Sequence, residues 1–262
     1  VSAAAPAPKQ RYGELSTIGK LIEGLPHDST LLIGNSSPIR MAHLFEIDPS
    51  VTVLANRGVN GIDGSMSAAV GYAASSERLS FLIVGDLSFF YDMNALSIRH
   101  QPPNLRILVV NNGGGALMHS PLPANPEIQS QAALHTSAGH NHTVRGWVES
   151  LGIRYLSATD APSLTAALDE FTIPLVSEPM VLEVFSEKIT DTRQMSDYWE
   201  RTATAGADAY GKARAIGGMA LRHLGLAARW CSRLILIDHG RIIADGAPGA
   251  VLTAARLRAI YG

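Results

Sequence analysis

Leu79-Ser80-Phe81-Leu82-Ile83-Val84-Gly85-Asp86-Leu87 and, downstream, Leu105-Arg106-Ile107-Leu108-Val109-Val110-Asn111-Asn112-Gly113-Gly114-Gly115 decide how this chain is read. Residues 79–84 and 105–110 are short apolar runs bounded by turn residues, the pattern of strands buried in a parallel sheet. Between them, residues 93–98 are helix-compatible and Pro102-Pro103 stops them. Strand, turn, helix and strand make one crossover unit, so the loops carrying Asp86 and Asn112 are expected at the same carboxyl edge. A carboxylate and an amide oxygen then face each other, and the glycines let the backbone come close to a ligand. Hard oxygen donors shared with a phosphate suit Mg²⁺, so the pair reads as a site for a cofactor diphosphate and its metal.

Outward from this pair, strands and helices alternate. Residues 15–25 carry apolar side chains at helical spacing until Pro26, and Thr30–Ile33 and 51–55 read as strands. A helix of small residues is expected over 65–75, followed by the two decisive strands and a loop-rich stretch over 113–142. Residues 143–151 read as a helix, 154–156 as a strand, Ala161–Phe171 as a helix and 179–185 as the last strand. This order predicts an α/β fold with a doubly wound parallel sheet, its functional residues in the loops past the strands' carboxyl ends.

At 262 residues the chain can bury a substantial core, as one large domain or two small ones. A formal net charge of −2 gives no electrostatic case for nucleic acid or an anionic membrane. No uninterrupted apolar stretch is long enough for a membrane span. One cysteine, Cys231, excludes an intramolecular disulfide and suits a reducing cytoplasm. Val1-Ser2-Ala3-Ala4-Ala5-Pro6-Ala7-Pro8 lacks the charged start and long apolar centre of a signal peptide. Residues 1–11 read instead as an interdomain linker, and the missing initiator Met suggests a piece of a longer protein.

Gly85-Asp86 followed downstream by Asn111-Asn112 resembles the thiamine-diphosphate-binding motif of the thiamine enzymes, with Leu87 where a third Gly is usual. That departure, within Gly85-Asp86-Leu87-Ser88-Phe89-Phe90-Tyr91-Asp92-Met93-Asn94-Ala95-Leu96, is similar to one branch: the 2-succinyl-5-enolpyruvyl-6-hydroxy-3-cyclohexene-1-carboxylate synthases (MenD) of menaquinone biosynthesis. Two further blocks carry the resemblance, Gly34-Asn35-Ser36-Ser37-Pro38-Ile39-Arg40 and Asn56-Arg57-Gly58-Val59-Asn60-Gly61-Ile62-Asp63-Gly64. It covers residues 12–199, and a thiamine-diphosphate domain is expected over 12–201.

The resemblance implies thiamine diphosphate and Mg²⁺ (or Mn²⁺) as cofactors, with 2-oxoglutarate and isochorismate as substrates. It implies Asp86, Asn112 and the Gly114 carbonyl around the metal, although a one-residue slip of register would give the role to Asn111. Gly61, Ile62, Gly85, Leu87 and Gly113 would contact the cofactor. Ile62 is the bulky residue expected beneath it, the alternative being a core anchor for its loop. Arg40 and Arg57 would clamp substrate carboxylates through their guanidinium forks, with Asn35 and Ser36 as neutral donors; the alternative is surface salt bridges. Leu117 and Met118 occupy the place of an apolar pair near the substrate. His135, His140 and His142 have no Cys or carboxylate to complete a metal set and read as loop histidines. No catalytic side chain is identified here, because the family's glutamate lies on a separate pyrimidine-binding domain expected before Val1. Family sites form between two chains, so a homo-oligomer is expected of the full-length enzyme.

The composition shifts near Thr202. Residues 226–246 are similar to the end of an ABC-transporter ATPase: a helix, then a hairpin turning at His239-Gly240, with a closing helix expected over 250–261. A short α/β tail over 202–262 is therefore expected. ATP hydrolysis is not, since Gly206-Ala207-Asp208-Ala209-Tyr210-Gly211-Lys212-Ala213 lacks the final hydroxyl of a phosphate loop. His239 stands where a catalytic Glu belongs, and Arg222 takes the switch position with His223 displaced by one. Two other functions remain open: a thiamine-dependent 2-oxo-acid decarboxylase or ligase of acetolactate-synthase type, and a non-catalytic remnant with a transporter-derived tail.

Overall fold

The computed structural model describes residues 11–57, 60–119, 135–205, 234–238, 241–253 and 255–256. Six strands, β1 (Thr30–Ile33), β2 (Thr52–Leu54), β3 (Ser80–Gly85), β4 (Leu105–Asn111), β5 (Arg154–Ala158) and β6 (Met180–Phe185), form one sheet. Their order is β2-β1-β3-β4-β6-β5 and every pairing is parallel. The central strands β3 and β4 are buried along almost their whole length, and apart from Ser80, Arg106 and Asn111 their side chains are apolar on both faces.

Helices cover both faces. On one, α1 (Glu14–Glu23), α2 (Ser37–Ala42) and α6 (Ala161–Phe171) bury Ile18, Leu21, Ile39, Leu164 and Phe171 against Leu31, Phe81, Ile83, Leu108 and Leu182. On the other, α3 (Ser65–Ala74), α4 (Asp86–Asp92) and α5 (Arg145–Ser150) bury Met66, Val70, Phe89 and Val148 against Leu32, Leu82, Val84, Ile107 and Val109. Successive strand residues thus feed opposite cores. α6 begins where it does because Asp160 and Ser163 form a reciprocal capping box with Pro162 just inside.

The structure corrects the sequence reading at three elements. The crossover helix starts at Asp86 itself and gives way to a 3₁₀ turn over Met93–Ser97, where the helix was expected. Residues 37–42 form α2, so Arg40 lies in a helix and not in a loop after a strand. A long helix, α7 (Lys188–Ala205), follows the last sheet strand.

The chain divides into two compact units after Ser196. In the second, β7 (Leu234–Asp238) and β8 (Arg241–Gly246) pair antiparallel as expected, and a one-turn helix, Pro248–Val251, follows. Residues 1–10 of the linker, the stretch 206–213, Arg222, His223, the helix expected before the hairpin with Cys231, and the turn His239-Gly240 lie outside the described residues. So do Gly58, Val59, Ser120, Pro121, residue 254 and residues 257–261.

Arg106, on β4, is almost wholly buried at the end of the sheet away from Asp86. Its NH1 donates to the carbonyls of Pro103 (3.2 Å) and Glu178 (2.5 Å), and NH2 to that of Leu175 (2.8 Å). Burial lowers its pKa below the ordinary arginine value, against the pull of Glu178. We predict that Arg106→Met, which strands these carbonyls, destabilises this unit by roughly 2–4 kcal/mol in urea unfolding.

Two buried carboxyls, Glu14 and Asp191, lie together beside α1. Asp191 Oδ1 accepts from the Glu14 amide (2.8 Å) and Oδ2 from Ser186 Oγ (2.6 Å). Burial pushes both above the ordinary carboxylate range: Glu14 well above it, with the charges of Asp191 and Asp86 adding, and Asp191 against the hydrogen bonds from Ser186, the Glu14 amide and Asn112, with the charge of Glu187 adding. As pH rises from about 4 the unfolded chain loses these protons first, while the native state keeps them up to its raised pKa values. Their contribution to stability therefore falls as pH rises through that window. We predict that the ligand-free unit is more stable at pH 5.5 than at pH 8, and that Glu14→Gln flattens the profile and stabilises it at pH 8. Hydrogen exchange of the β3 and β4 amides measures both.

Candidate cofactor-binding site

Gly85 pairs with Val110 in the β3–β4 ladder, so Asp86 and the Asn111-Asn112-Gly113-Gly114-Gly115 turn leave the same sheet edge side by side. Asp86 is buried; its Oδ1 accepts from the Leu87 amide (2.7 Å) and Oδ2 from the Gly114 amide (2.8 Å). Burial pushes the Asp86 carboxyl above its ordinary value, opposed by these amides and by His140. The turn can close on the carboxylate because Gly114 has φ +133° and a Cβ there would meet the Ser137 carbonyl oxygen at 2.6 Å. Gly113 likewise has positive φ, and its carbonyl accepts from Lys188 Nζ (2.7 Å).

The two asparagines behave differently. Asn111 Nδ2 donates to the fully buried Glu183 (2.7 Å) and to the His142 carbonyl (2.8 Å), and Oδ1 accepts from the Gly113 amide (3.2 Å). Glu183 also accepts from Thr143 Oγ1 (2.5 Å), Tyr155 OH (2.7 Å) and the Val144 amide (3.1 Å), so Asn111 is locked into a saturated buried network. Asn112 Oδ1 is buried with no hydrogen-bond partner among the described residues, while its side chain faces Asp191 and opposes the rise of that carboxyl. An orphaned amide oxygen beside a buried carboxylate and a glycine carbonyl is a hard-donor set of the kind that holds Mg²⁺. The Gly114 carbonyl already accepts from the Ala116 amide (3.0 Å) and keeps one lone pair for a second partner.

The loop over β1 completes the edge. Gly34 is needed because a Cβ there would meet the Ile83 carbonyl oxygen at 2.9 Å. Asn35 Nδ2 donates to the carbonyls of Gly61 (2.6 Å) and Asn56 (3.3 Å), and its Oδ1 accepts from Arg57 (3.2 Å). Ser36 holds φ +75° and accepts Arg40 NH1 on its carbonyl (2.6 Å), a strained turn of the sort found at binding sites. Arg40 is pushed below the ordinary arginine value by burial and then by Arg57. Neither guanidinium has a carboxylate partner among the described residues, contrary to the salt-bridge alternative. The Ile62 carbonyl accepts from Ser88 Oγ (2.5 Å), tying this loop to α4 two residues after Asp86.

Ile62 is half-buried and packs into neither core, contrary to the core-anchor alternative. Gly61 is exposed and Gly85 and Leu87 are half-buried. Leu117 and Met118 lie on a 3₁₀ turn (Ala116–His119), Leu117 half-buried and Met118 exposed. Three side chains at the site were not foreseen: Glu183, Lys188 and His140. The last was read as an ordinary loop histidine, yet its buried Nε2 lies 3.2 Å from Asp86 Oδ2. Histidine spacing alone carried no such signal.

Comparison with known proteins places this geometry. Residues 33–184 match the family model "Thiamine pyrophosphate enzyme, C-terminal TPP binding domain". A protein of Phocaeicola vulgatus named 2-succinyl-5-enolpyruvyl-6-hydroxy-3-cyclohexene-1-carboxylate synthase is 46% identical over 195 residues, 74% of this chain and 35% of that protein. Proteins of the same name from Bacteroides fragilis (44% over 197 residues, 75% of this chain and 35% of that one) and Flavobacterium johnsoniae (38% over 189 residues, 72% and 34%) are also similar. The chain thus spans about a third of the length of these curated relatives. These comparisons give no support to an ABC-transporter ATPase origin for the tail. With Asp86 and Asn112 at one sheet edge and a family match over more than half its length, the chain belongs to the thiamine pyrophosphate enzymes and carries their C-terminal cofactor-binding domain.

Proposed function

We propose that this chain is the diphosphate- and metal-holding part of a transferase of menaquinone biosynthesis, a decarboxylating carbon–carbon synthase acting on 2-oxoglutarate and isochorismate. The observation that carries this reading is the pair Arg40 and Arg57, two neighbouring guanidiniums without an acidic partner among the described residues. They lie on the edge that also bears Asp86, linked to it through Asn35, the Gly61-Ile62 turn and Ser88. Two unpaired guanidiniums repel each other and favour an anion with more than one carboxylate. Small uncharged 2-oxo acids, the substrates of the acetolactate-synthase type, need no such clamp.

Asp86, Asn112 and the Gly114 carbonyl would hold Mg²⁺ or Mn²⁺; the hydrogen bonds of Asn111 to Glu183, the His142 carbonyl and the Gly113 amide favour Asn112 over Asn111 for that role. Ile62 would support the cofactor from below, with Gly61, Gly85, Leu87 and Gly113 around it. When bound, thiamine diphosphate supplies the electron sink for decarboxylation of a 2-oxo acid. The chain's own part is to anchor the diphosphate, to orient substrate carboxylates on Arg40 and Arg57 beside Asn35 and Ser36, and to line the approach with Leu117 and Met118. Turnover would need a pyrimidine-binding domain with its glutamate, and a homo-oligomer would complete the site. A cytoplasmic location is consistent with soluble anionic substrates; among the described residues no helix is long and apolar enough to cross a membrane. We assign the cofactor domain to residues 12–201 and a tail to 202–262. The one observation consistent with an ATPase-derived tail is the β7–β8 hairpin.

Calorimetric titration of thiamine diphosphate tests the cofactor site. Binding is expected to require Mg²⁺, to be abolished by Asp86→Ala and to weaken at least about tenfold in Asn112→Ala. No binding by the unaltered chain would favour the non-catalytic remnant. In the loaded chain, Arg40→Met and Arg57→Met are each expected to weaken 2-oxoglutarate roughly ten- to hundredfold while barely changing pyruvate. Equal binding of pyruvate and 2-oxoglutarate would favour the acetolactate-synthase type.

A further inference from the structure

His140 presents a fixed ring edge to the site. Its Nδ1 accepts from the His142 amide (3.1 Å), so that lone pair is used and the proton resides on Nε2. The His140 side chain is only 7% exposed, and Nε2 is a buried polar atom with no aligned hydrogen-bond acceptor among the described residues. Asp86 Oδ2 lies 3.2 Å away but is off-axis and already accepts the Gly114 amide. An unmatched buried N–H is costly and calls for an acceptor.

The ring cannot easily turn away. It stacks on His142 (centroids 5.4 Å, planes 7° apart) and meets the edge of Phe90 (5.2 Å, 87°). The loop beneath it is tied to the glycine turn by His140 N to Gly113 O (3.1 Å) and Gly115 N to Ser137 O (2.6 Å). Asn111 Nδ2 holds the His142 carbonyl from the same strand end. The imidazole therefore moves with the Asp86–Asn112 half-site as one piece.

We propose that His140 binds the cofactor's diphosphate, its Nε2–H donating to a phosphate oxygen, and that it does not ligate the metal. This rests on the reading of the site given above. A metal ligand needs a lone pair on Nε2, and the bond from His142 leaves a proton there instead. A metal drawn to Asp86 would engage the one nearby anion, and a phosphate oxygen is then the strong acceptor that the stranded N–H lacks.

The test uses the full chain, His140→Ala and His140→Gln, with folding checked by thermal melting. Thiamine diphosphate and inorganic diphosphate are titrated with Mg²⁺, and Mn²⁺ alone is titrated by electron paramagnetic resonance. We expect His140→Ala to weaken both diphosphates roughly ten- to hundredfold, and His140→Gln, which retains an N–H, to recover much of that loss. Mn²⁺ affinity without diphosphate should stay the same in all three. Long-range ¹H–¹⁵N spectra of the ligand-free chain should show the proton on Nε2. Unchanged diphosphate affinity in His140→Ala, loss of Mn²⁺ affinity, or a proton on Nδ1 would overturn the proposal while leaving the Asp86–Asn112 site standing. If the unaltered chain binds neither diphosphate, both fall.

Discussion

The register between β3 and β4 governs everything at the candidate site. Ile83 lies opposite Leu108 and Gly85 opposite Val110, which sets Asp86 beside the Asn111–Gly115 turn. The register is held by apolar side chains on both faces: Leu82, Val84, Ile107 and Val109 in one core, Phe81, Ile83 and Leu108 in the other. A slip of one residue would exchange these faces and leave the carboxylate and the amide misaligned. Two separate cores thus enforce a single placement of two polar residues.

Glu183 is the second constraint. A buried carboxylate is tolerable only with its oxygens satisfied, and here Asn111, Thr143, Tyr155 and the Val144 amide together meet that need. Adjacent asparagines thereby acquire different duties. Asn111 becomes part of the scaffold, while Asn112 keeps an oxygen with no hydrogen-bond partner among the described residues.

The strands were readable because each is a compact apolar run between turn residues, and β1 and α6 match their expected bounds. Helix α4 was not, because Gly85-Asp86-Leu87-Ser88 has turn chemistry and the helix is held by burying Phe89, a tertiary effect. Helix α2, directly after the turn at Asn35-Ser36, was likewise not read from the sequence; Pro38 sits in its first turn, where it is tolerated. Asp86 and Asn112 were legible because each directly follows a strand, so topology alone brings them together. Glu183, Lys188 and His140 reach the site from a strand, a helix start and a loop distant in sequence, and no local periodicity marks them. The hairpin of the tail was legible, but its origin was not: a short apolar strand, a turn and another strand recur in many unrelated proteins.

The first and last elements of the cofactor unit are stitched together. Tyr12 OH donates to the Phe185 (2.6 Å) and Ala158 (3.1 Å) carbonyls, Gln194 donates to the Tyr12 carbonyl (3.2 Å), and the Glu14 amide donates to Asp191. These partners lie 146 to 182 positions apart along the chain. On a ribosome, Asp86 and Asn112 emerge well before Glu183, Lys188 and Asp191, which orient and surround them. Such long closures form late, after the local elements are in place. A nascent chain therefore exposes Asp86 and Asn112, the groups proposed above to hold a metal, before the residues that order their surroundings have been made.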